Sequence, residues 1–393
     1  YELTFAHRDY GNVSIDIRVK RSIRIDEKLV PKVYDAGSRT KKYGDPLRSN
    51  GDSAITRNDI KKYPMRGAGD SLHLIQSLPG VGGGFSLATV PVIRGTNPLF
   101  NKYYIDDIPV DYPFHYVAGF VPLISSINEE AIESADVIKG NAPIWTGDNL
   151  GNVIMIRSAD AEKGGINGRM ILDPVVPFMP TFSVSAAPND RLSITAVGRR
   201  TTADMLVDMN KTHFYMADYL LKASYILNES HRITALGSGS QDRVSFNDLS
   251  TRSGYYANGL TWEFRALDDL LVKTVLSNQN MTQSLENKKE YKSGSGAEIK
   301  FNPDQYRILQ MAVLSLSPVN LRAGYEAVKY RGGCSGNTSL AGIAGIKFYN
   351  GVSTDQKLYF PVEGRSLAGF AGVDGTFGGF GYDAGVKYED YGP

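Results

Sequence analysis

The chain has 393 residues, which is longer than one ordinary domain. Its 43 basic and 42 acidic residues nearly cancel and form only short runs, so its charge gives no indication of nucleic-acid binding. The sequence contains no run of about 18 consecutive apolar residues and so predicts no transmembrane helix. The single cysteine, Cys334, excludes an internal disulfide framework.

Residues 1–24 are predicted to form β-strands. Val13, Ile15 and Ile17 alternate with polar residues, which is the period of two expected of a half-buried strand. Because two strands alone would be marginally stable, we interpret this segment as the end of a small β-sandwich domain.

Residues 25–50 are polar, basic and without a clear pattern, as is typical of a linker. Within them, Ile25–Val33 is a short amphiphilic run that could add as a strand to the sheet of a partner protein. A plain solvated linker explains the same residues equally well.

Residues 51–160 are predicted to be a compact α/β domain. Thr56 can cap a short helix, and Asp70 can cap another whose apolar face is Leu72, Ile75 and Leu78. Four strand-like runs follow, at Val90–Arg94, Lys102–Ile108, Ala135–Lys139 and Asn152–Arg157. An aromatic, proline-rich loop, residues 109–120, lies between the second and third runs.

Residues 165–393 change to long strands with alternating faces. In the predicted strand at residues 212–227, alternate positions form one apolar face: Tyr215, Ala217, Tyr219, Leu221, Ala223, Tyr225 and Leu227. The intervening positions include Asp218 and Lys222. An apolar face backed by a polar face is typical of the strands of a transmembrane β-barrel, although a soluble β-sandwich also alternates.

The length of the strands and their connections favour the barrel. Residues 212–227 would extend about 50 Å, which is longer than strands usual in globular domains. Short predicted turns at 188–190, 228–230, 267–269 and 302–304 take turns with longer polar connections at 199–211, 241–252 and 281–290. We therefore predict an all-β transmembrane barrel, of which about 13 strands are present.

With both parts in view, the chain resembles the TonB-dependent outer-membrane receptors. The resemblance rests on five pieces in the same order: SLHLIQSLPGV (71–81), VIRGTNP (92–98), YYIDDIPVDYPFHY (103–116), AIESADVIKG (131–140) and GDNLGNVIMIR (147–157). In these receptors such a segment is the plug domain, and the resemblance therefore implies that the α/β domain lies in the lumen of the barrel. The last piece usually has two adjacent glycines, and Asn152 replaces the second. The resemblance extends through the barrel and implies roughly 22 strands in all.

The resemblance also implies a location and partners. Residues 1–24 resemble the end of the carboxypeptidase-regulatory-like domain that precedes some plugs, and the energy-coupling TonB box would then fall near residues 25–33. The implied location is the bacterial outer membrane, with the N-terminus in the periplasm. The implied partners are the TonB–ExbB–ExbD complex, outer-membrane lipid, an unknown small ligand and, as a further option, additional envelope proteins. The expected contacts with TonB are Ile25, Asp26, Glu27, Leu29 and Val30.

The sequence contains no constellation that predicts an enzyme, a cofactor or a fixed metal. The five histidines are scattered, and none is spaced to ligate a metal with Cys334. The glycine-rich VGGGF (81–85) lacks the GK[ST] of a phosphate-binding loop. Asp106 and Asp107 are expected to point to opposite faces of one strand.

Two sets of residues are candidates for function. Loops 96–101 and 111–116 resemble the plug apices, and their aromatic and hydrogen-bonding side chains suit a medium-sized ligand, although Phe100 and Phe114 could simply pack against the wall. The candidate ligand-binding residues are Asn97, Phe100, Asn101, Tyr112, Phe114, His115 and Tyr116. The candidate plug–barrel contacts are Arg94, Glu130 and Glu133, of which the two glutamates could instead be solvated.

These features support three functional hypotheses. The first is TonB-dependent uptake of a scarce nutrient, such as a siderophore, cobalamin, haem, a glycan or a peptide. The second is an outer-membrane barrel with a structural or interaction role and no transport. The third is a soluble β-sandwich that binds a ligand.

Overall fold

The computed structural model describes residues 2–7, 10–16, 53–62, 70–83, 90–111, 113–117, 121–140, 142–146, 151–161, 165–172, 179–202, 212–246, 249–287, 297–316, 318–337, 357–377 and 380–392. Near the N-terminus, β1 (Glu2–His7) and β2 (Tyr10–Asp16) pair as an antiparallel hairpin. The predicted TonB-interacting residues, 25–30, lie outside the described residues.

The elements that follow build the plug. In chain order they are β3 (Ser53–Thr56), α1 (Arg57–Lys62), α2 (Ser71–Ile75), β4 (Val81–Gly83), β5 (Pro91–Ile93), β6 (Lys102–Ile105), β7 (Ile108–Val110), β8 (Phe114–Val117), β9 (Val121–Ser125), β10 (Ile132–Ile138) and β11 (Val153–Ser158). Short 3-10 turns occur at Pro98–Phe100, Glu129–Ala131 and Ile144–Thr146. Five of the strands form one sheet in the order β3-β10-β11-β6-β7, in which β11 and β6 are parallel.

Helix α2 forms for the reason that the sequence indicated. The Asp70 side chain accepts hydrogen bonds from the backbone N–H groups of Leu72 and His73, each at 3.2 Å, and so satisfies donors that the first turn leaves open. Leu72 and Ile75 are fully buried in the plug core. The helix ends at Ile75, before Leu78, which still packs against that core from the following turn.

The predicted strand Lys102–Ile108 is in fact a tight hairpin. Asp106 and Asp107 have φ angles of 47° and 68°, and Ile105 pairs with Ile108 across them, so the two aspartates form a type I′ turn between β6 and β7. The expectation that they point to opposite faces of one strand is therefore wrong. Aspartate is one of the few residues besides glycine that adopt this left-handed backbone. The Asp106 carboxylate accepts a long-range hydrogen bond from the backbone N–H of Ser158 at 3.0 Å.

A large antiparallel sheet holds the rest of the chain. Its strands are β12 (Gly165–Ile171), β13 (Thr181–Asn189), β14 (Leu192–Arg200), β15 (Thr212–Asn228), β16 (His231–Phe246), β17 (Leu249–Leu267), β18 (Leu270–Asn287), β19 (Ala297–Phe301), β20 (Asp304–Leu316), β21 (Val319–Asn337), β22 (Lys357–Phe377) and β23 (Phe380–Gly392). Each strand pairs with the next in sequence, apart from β19 and β20. The described part of the sheet thus has twelve strands, against the predicted number of about 13.

Strands β19 and β20 lie end to end and together occupy one position in the barrel. Both pair with β18 on one side and with β21 on the other. Residues 302 and 303 are therefore a break within a strand, and the predicted turn at 302–304 is wrong. Gly332 faces this break with a φ of 154°, and a Cβ there would lie 2.4 Å from the Asn302 carbonyl oxygen.

Another predicted connection is also mostly strand. Residues 241–246 continue β16 and residues 249–252 begin β17, so only residues 247 and 248 connect the two. Longer connections at the same end of the sheet span residues 201–211, 288–296 and 338–356, whereas two residues join the strands at the opposite end near Asp190, Ser230 and Asp269. Residues 281–287 of the predicted connection at 281–290 likewise belong to β18. The two ends of the sheet therefore differ as the sequence predicted, although less regularly.

The alternation predicted for β15 is present in the structure. Met216, Asp218, Leu220 and Lys222 are buried, whereas Leu221 is 52% exposed. The outer face also carries a stack of rings near the two-residue turns, in which His231 lies 4.5 Å from Phe264. An exposed apolar band bordered by aromatic rings is typical of strands that face lipid. No helix in the described parts of the chain is both long and apolar enough for a membrane crossing.

Candidate functional site

The plug rests against the inner face of the large sheet through buried charges. At the β6–β7 turn, Asp107 accepts from Lys273 of β18 at 2.5 Å. Lys222 of β15 lies 3.3 Å from Asp106 and 3.0 Å from Asp160, which follows β11. The type I′ turn places the two neighbouring carboxylates so that each reaches a different lysine of the wall.

His115 is the centre of a second charged cluster. Its Nδ1 lies 2.5 Å from Asp242 Oδ1 on β16, and its Nε2 lies 2.8 Å from Asp218 Oδ2 on β15. Arg199 of β14 donates its Nε–H to the same Asp218 oxygen at 2.5 Å, and Ser253 donates to Asp242 at 3.1 Å. The five side chains are buried, so the cluster holds two carboxylates against two cations with little water to screen them.

The geometry of this cluster requires a doubly protonated histidine. Both ring nitrogens face carboxylate oxygens, which can only accept when ionised, so both nitrogens must donate. Burial by itself lowers the pKa of His115, but the hydrogen bonds to Asp218 and Asp242 outweigh it and raise the pKa to about 9. The imidazolium therefore persists at neutral pH and ties β8 of the plug to two strands of the wall.

The loop before His115 is also tied to the wall. Gln279 of β18 accepts from the backbone N–H of Asp111 at 3.0 Å and donates to the carboxylate of the same residue at 2.9 Å. The two bonds hold both the backbone and the side chain of Asp111. This end of the predicted apex loop is therefore fixed against β18.

A buried tryptophan anchors the plug at another place. Trp145 is 1% exposed, and the guanidinium of Arg322 lies over its ring at 4.8 Å. Arg307 donates to the carbonyl oxygens of Trp145 at 3.2 Å and of Asp107 at 2.9 Å. One wall arginine thus bonds two distant parts of the plug, and a second one stacks on its largest side chain.

Two glycines of the wall make room for plug side chains. A Cβ added at Gly259 would lie 2.3 Å from Cδ1 of Ile108, and one at Gly385 would lie 2.6 Å from Cδ1 of Ile144. Both distances are shorter than real Cβ contacts. Glycine at these positions therefore allows the plug to approach the wall closely.

We expect Gly259→Ala to destabilise the docked plug by about 1–3 kcal/mol, because the new methyl group overpacks the contact with Ile108. The double variant Ile108→Ala/Gly259→Ala should recover part of the loss, since it removes the obstructing atoms. Thermal unfolding of the two variants measures the effect. Gly369→Ala is the matched control, because nothing lies within 4 Å of its added Cβ. Equal stability of Gly259→Ala and Gly369→Ala would contradict the close contact.

The candidate ligand-binding residues do not share one environment. Asn97 is exposed and Phe100 is 47% exposed, so both are open to a ligand. Asn101 is buried and donates to the Pro91 carbonyl oxygen at 2.7 Å, and Phe114 is buried with its ring edge-on to Tyr103.

The other three candidates are placed as follows. His115 is completely buried between Asp218 and Asp242, so in this structure it contacts the wall and is not presented to a ligand. The structure describes the backbone of Tyr116, in β8, but not its side chain, and Tyr112 lies outside the described residues.

Asn152, which stands where the family resemblance would place the second of two adjacent glycines, has a definite structural role. Its side-chain amide donates to Thr96 at 2.8 Å and to Asn101 at 3.2 Å, and so bonds both ends of the loop that carries Asn97 and Phe100. Gly151 remains necessary beside it, because a Cβ there would lie 2.5 Å from the Phe100 carbonyl oxygen. The substitution thus adds hydrogen bonds that hold the 96–101 loop in shape.

Among the candidate plug–barrel residues, Glu130 pairs with Arg169 of β12 at 3.0 Å. Arg94 has a φ of 49° and donates to the Lys139 carbonyl oxygen at 2.5 Å, which is a contact within the plug. Glu133 is half-buried on β10. The described residues contain no group of three side chains that could hold a metal ion.

Sequence reasoning missed the wall residues that hold the plug: Arg199, Lys222, Asp242, Lys273, Gln279 and Arg307. The sequence did contain one signal for them. On the face of β15 opposite the apolar face, Asp218 and Lys222 are charged. Those charges indicated an inner face but not its partners, which are far away in the sequence. Only the plug's position inside the sheet identifies these side chains as interface residues.

Comparisons with known proteins agree with this architecture. The profile of the TonB-dependent receptor plug domain matches residues 49–153. A search of curated protein sequences found no significant match.

Solved structures of similar fold cover most of the chain at low sequence identity. The outer membrane transporter YddB from Escherichia coli matches with a TM-score of 0.60 and 12% identity, over 86% of this chain and 56% of that one. The siderophore receptor PirA from Pseudomonas aeruginosa matches with a TM-score of 0.58 and 17% identity, over 88% and 56%. The copper transporter OprC matches with a TM-score of 0.62 and 13% identity, over 86% and 54%. The chain thus spans little more than half the length of these proteins. The sequence match identifies residues 49–153 as a TonB-dependent receptor plug domain, and the chain as a whole has the fold of such a plug with part of the β-barrel of an outer-membrane transporter.

Proposed function

We propose that the protein takes up a scarce nutrient across a bacterial outer membrane, driven through TonB. The observation that carries the proposal is the position of the plug, which lies against the inner face of the sheet where it would close the lumen. The sheet presents apolar side chains such as Leu221 and Leu260 outward, as a lipid-facing wall does. A soluble β-sandwich would bury such a face.

The charged contacts between the plug and the wall suit a plug that is released and docked again. Its described contacts include four wall cations, at Arg199, Lys222, Lys273 and Arg307, and all four bond atoms of the plug. Buried ion pairs lose much of their Coulomb energy to desolvation, so they specify a position more than they add stability. A plug held in this way is exactly positioned when docked, and water that enters the interface during release can solvate the separated charges.

The N-terminal side of the plug provides the route for coupling. Strand β3 is the edge strand of the plug sheet and pairs only with β10 among the described strands. It follows the linker in which residues 25–33 are the proposed TonB box. In this proposal the N-terminus lies in the periplasm, TonB captures that segment by strand addition, and ExbB–ExbD supply the energy.

The ligand is a medium-sized molecule that binds above the plug. The exposed side chains of Asn97 and Phe100, on a loop held by Asn152, offer an amide and an aromatic face for it. Two of the similar solved structures are a siderophore receptor and a copper transporter, so metal complexes join cobalamin, haem, glycans and peptides among the candidates.

Uptake measurements test the proposal. A strain that lacks the gene should lose uptake of one of these ligands, and the full protein should restore it only while the inner membrane is energised. A barrel with a structural role would instead leave uptake of every candidate unchanged while altering the envelope. Restoration that persists after the proton gradient is dissipated would contradict TonB-dependent transport.

A further inference from the structure

The outer face of the sheet carries a row of cations above its apolar band. The strand register places Arg243 of β16 directly opposite Arg252 of β17. On one side of this pair, Tyr215 lies opposite Arg243, and its ring supports the guanidinium of Arg200 at 5.1 Å. On the other side, Ser284 separates Arg252 from Lys300 of β19 in the same register.

A bound anion would stabilise the two facing arginines. Like charges directly opposite each other in an antiparallel pair are destabilising. Arg243 and Arg252 are exposed, and neither forms an ion pair or a side-chain hydrogen bond with any other part of the chain that the structure describes. Asp242 is the nearest carboxylate along β16, but it points inward and bonds His115. The Asp242 carboxylate thus serves the inner face. On the outer face, Glu286 of β18 lies two residues from Ser284, and it forms no ion pair with Arg243 or Arg252 in the described part of the chain.

The height of the row matches the level of lipid headgroups. Arg243 lies twelve residues along β16 from His231, which belongs to the ring stack at the lower border of the apolar band. At about 3.3 Å per residue and a tilt of about 40°, this distance is about 30 Å along the membrane normal. An apolar barrel band is about 25 Å tall, so the arginines lie just beyond it.

The surface between the two levels is mostly apolar or aromatic, with Asn258 as an exposed polar exception, so acyl chains can lie against it. Tyr219, Leu221 and Tyr225 of β15 are each more than 40% exposed, as are Leu260 of β17 and Leu276 of β18. A lipid bound with its phosphate at the arginines would lay its chains along these side chains. The same chemistry would not hold a neutral headgroup at this place.

We propose that Arg243 and Arg252, with Arg200 on Tyr215 beside them, bind the phosphate of an anionic lipid in the outer leaflet. Guanidinium groups suit this role because they bond phosphate oxygens in a bidentate manner. The inference rests on the proposed outer-membrane location, but it is independent of transport. The bound lipid would neutralise the like-charge pair and fix β16 and β17 relative to the leaflet.

Lipid binding to the purified full-length protein tests the proposal. The protein in neutral detergent is titrated with phosphatidic acid or phosphatidylcholine, and bound lipid is counted by native mass spectrometry. We expect preferential binding of phosphatidic acid, and a loss of affinity of about 30-fold in Arg243→Gln/Arg252→Gln, since each surface cation contributes about 1 kcal/mol. The control, Arg191→Gln/Arg265→Gln, makes the same charge change near the two-residue turns and should leave the affinity unchanged.

Three outcomes would overturn the proposal. They are equal binding of the two lipids, an equal loss in the control variant, and displacement of phosphatidic acid by inorganic phosphate at matching concentration, which would mean an adventitious ion only. Circular-dichroism melting of both double variants verifies that they are folded. Because the assay needs no uptake, its failure is distinguishable from failure of the transport proposal.

Discussion

Deletion of residues 25–33 is expected to abolish uptake while ligand binding at the cell surface survives. These residues are the proposed TonB box, and their removal leaves the plug, the wall and the 96–101 loop intact. Without this segment, TonB has no strand to capture, so inner-membrane energy cannot reach the plug. Uptake of radiolabelled ligand by energised cells, compared with binding in the cold, measures the two steps separately.

Three further variants make this test sharper. Replacement of residues 25–33 by a glycine–serine segment of equal length keeps the reach of the linker and should also abolish uptake. Leu29→Pro removes one backbone donor from the proposed pairing strand and should have a similar effect, whereas Leu29→Ala keeps that donor and should retain most uptake. Uptake that persists in the replacement variant would mean that the TonB box lies elsewhere.

His115→Leu is expected to destabilise the docked plug by about 3–5 kcal/mol. The variant removes the imidazolium from beside the buried Asp242 carboxylate, and removing one member of a buried ion pair costs more than the pair itself contributes. The double variant His115→Leu/Asp242→Leu should recover much of this loss, because it also removes the buried carboxylate and leaves Asp218 bonded to Arg199. Chemical unfolding midpoints measure the difference.

The same cluster predicts a pH dependence. The pKa of His115 is raised to about 9 when the plug is docked, against about 6.5 for a solvated histidine. Its stabilising contribution is therefore complete below about pH 6.5 and is lost as the pH rises through about 9, a difference of about 3 kcal/mol. Protease accessibility of the plug should increase over this interval in the wild type but not in His115→Leu. A flat profile in the wild type, or stability of His115→Leu within 1 kcal/mol of it, would contradict the assignment.

Local patterns explain how much the sequence could predict. Asp70 identified the start of α2 because a capping side chain acts within three residues. The period-two alternation around Leu221 identified a sheet with one apolar face, since side-chain direction along a strand depends only on the strand itself. The turn at Asp106 and Asp107 was missed because aspartate fits both a strand end and a type I′ turn, and the residues beside it do not distinguish the two.

The sequence by itself therefore determined an α/β domain followed by long strands with one apolar face, because short-range signals and periodicity encode both, and the family resemblance identified the domain as a plug. Only the tertiary structure decided what holds the plug. His115 meets partners that are 103 and 127 residues away, and no local pattern relates such positions. The structure likewise decided that Arg243 and Arg252 share one outer surface, because the register of neighbouring strands brings them together. Charged side chains follow no periodicity that predicts their partners, and their burial and pairing depend on where the fold places them.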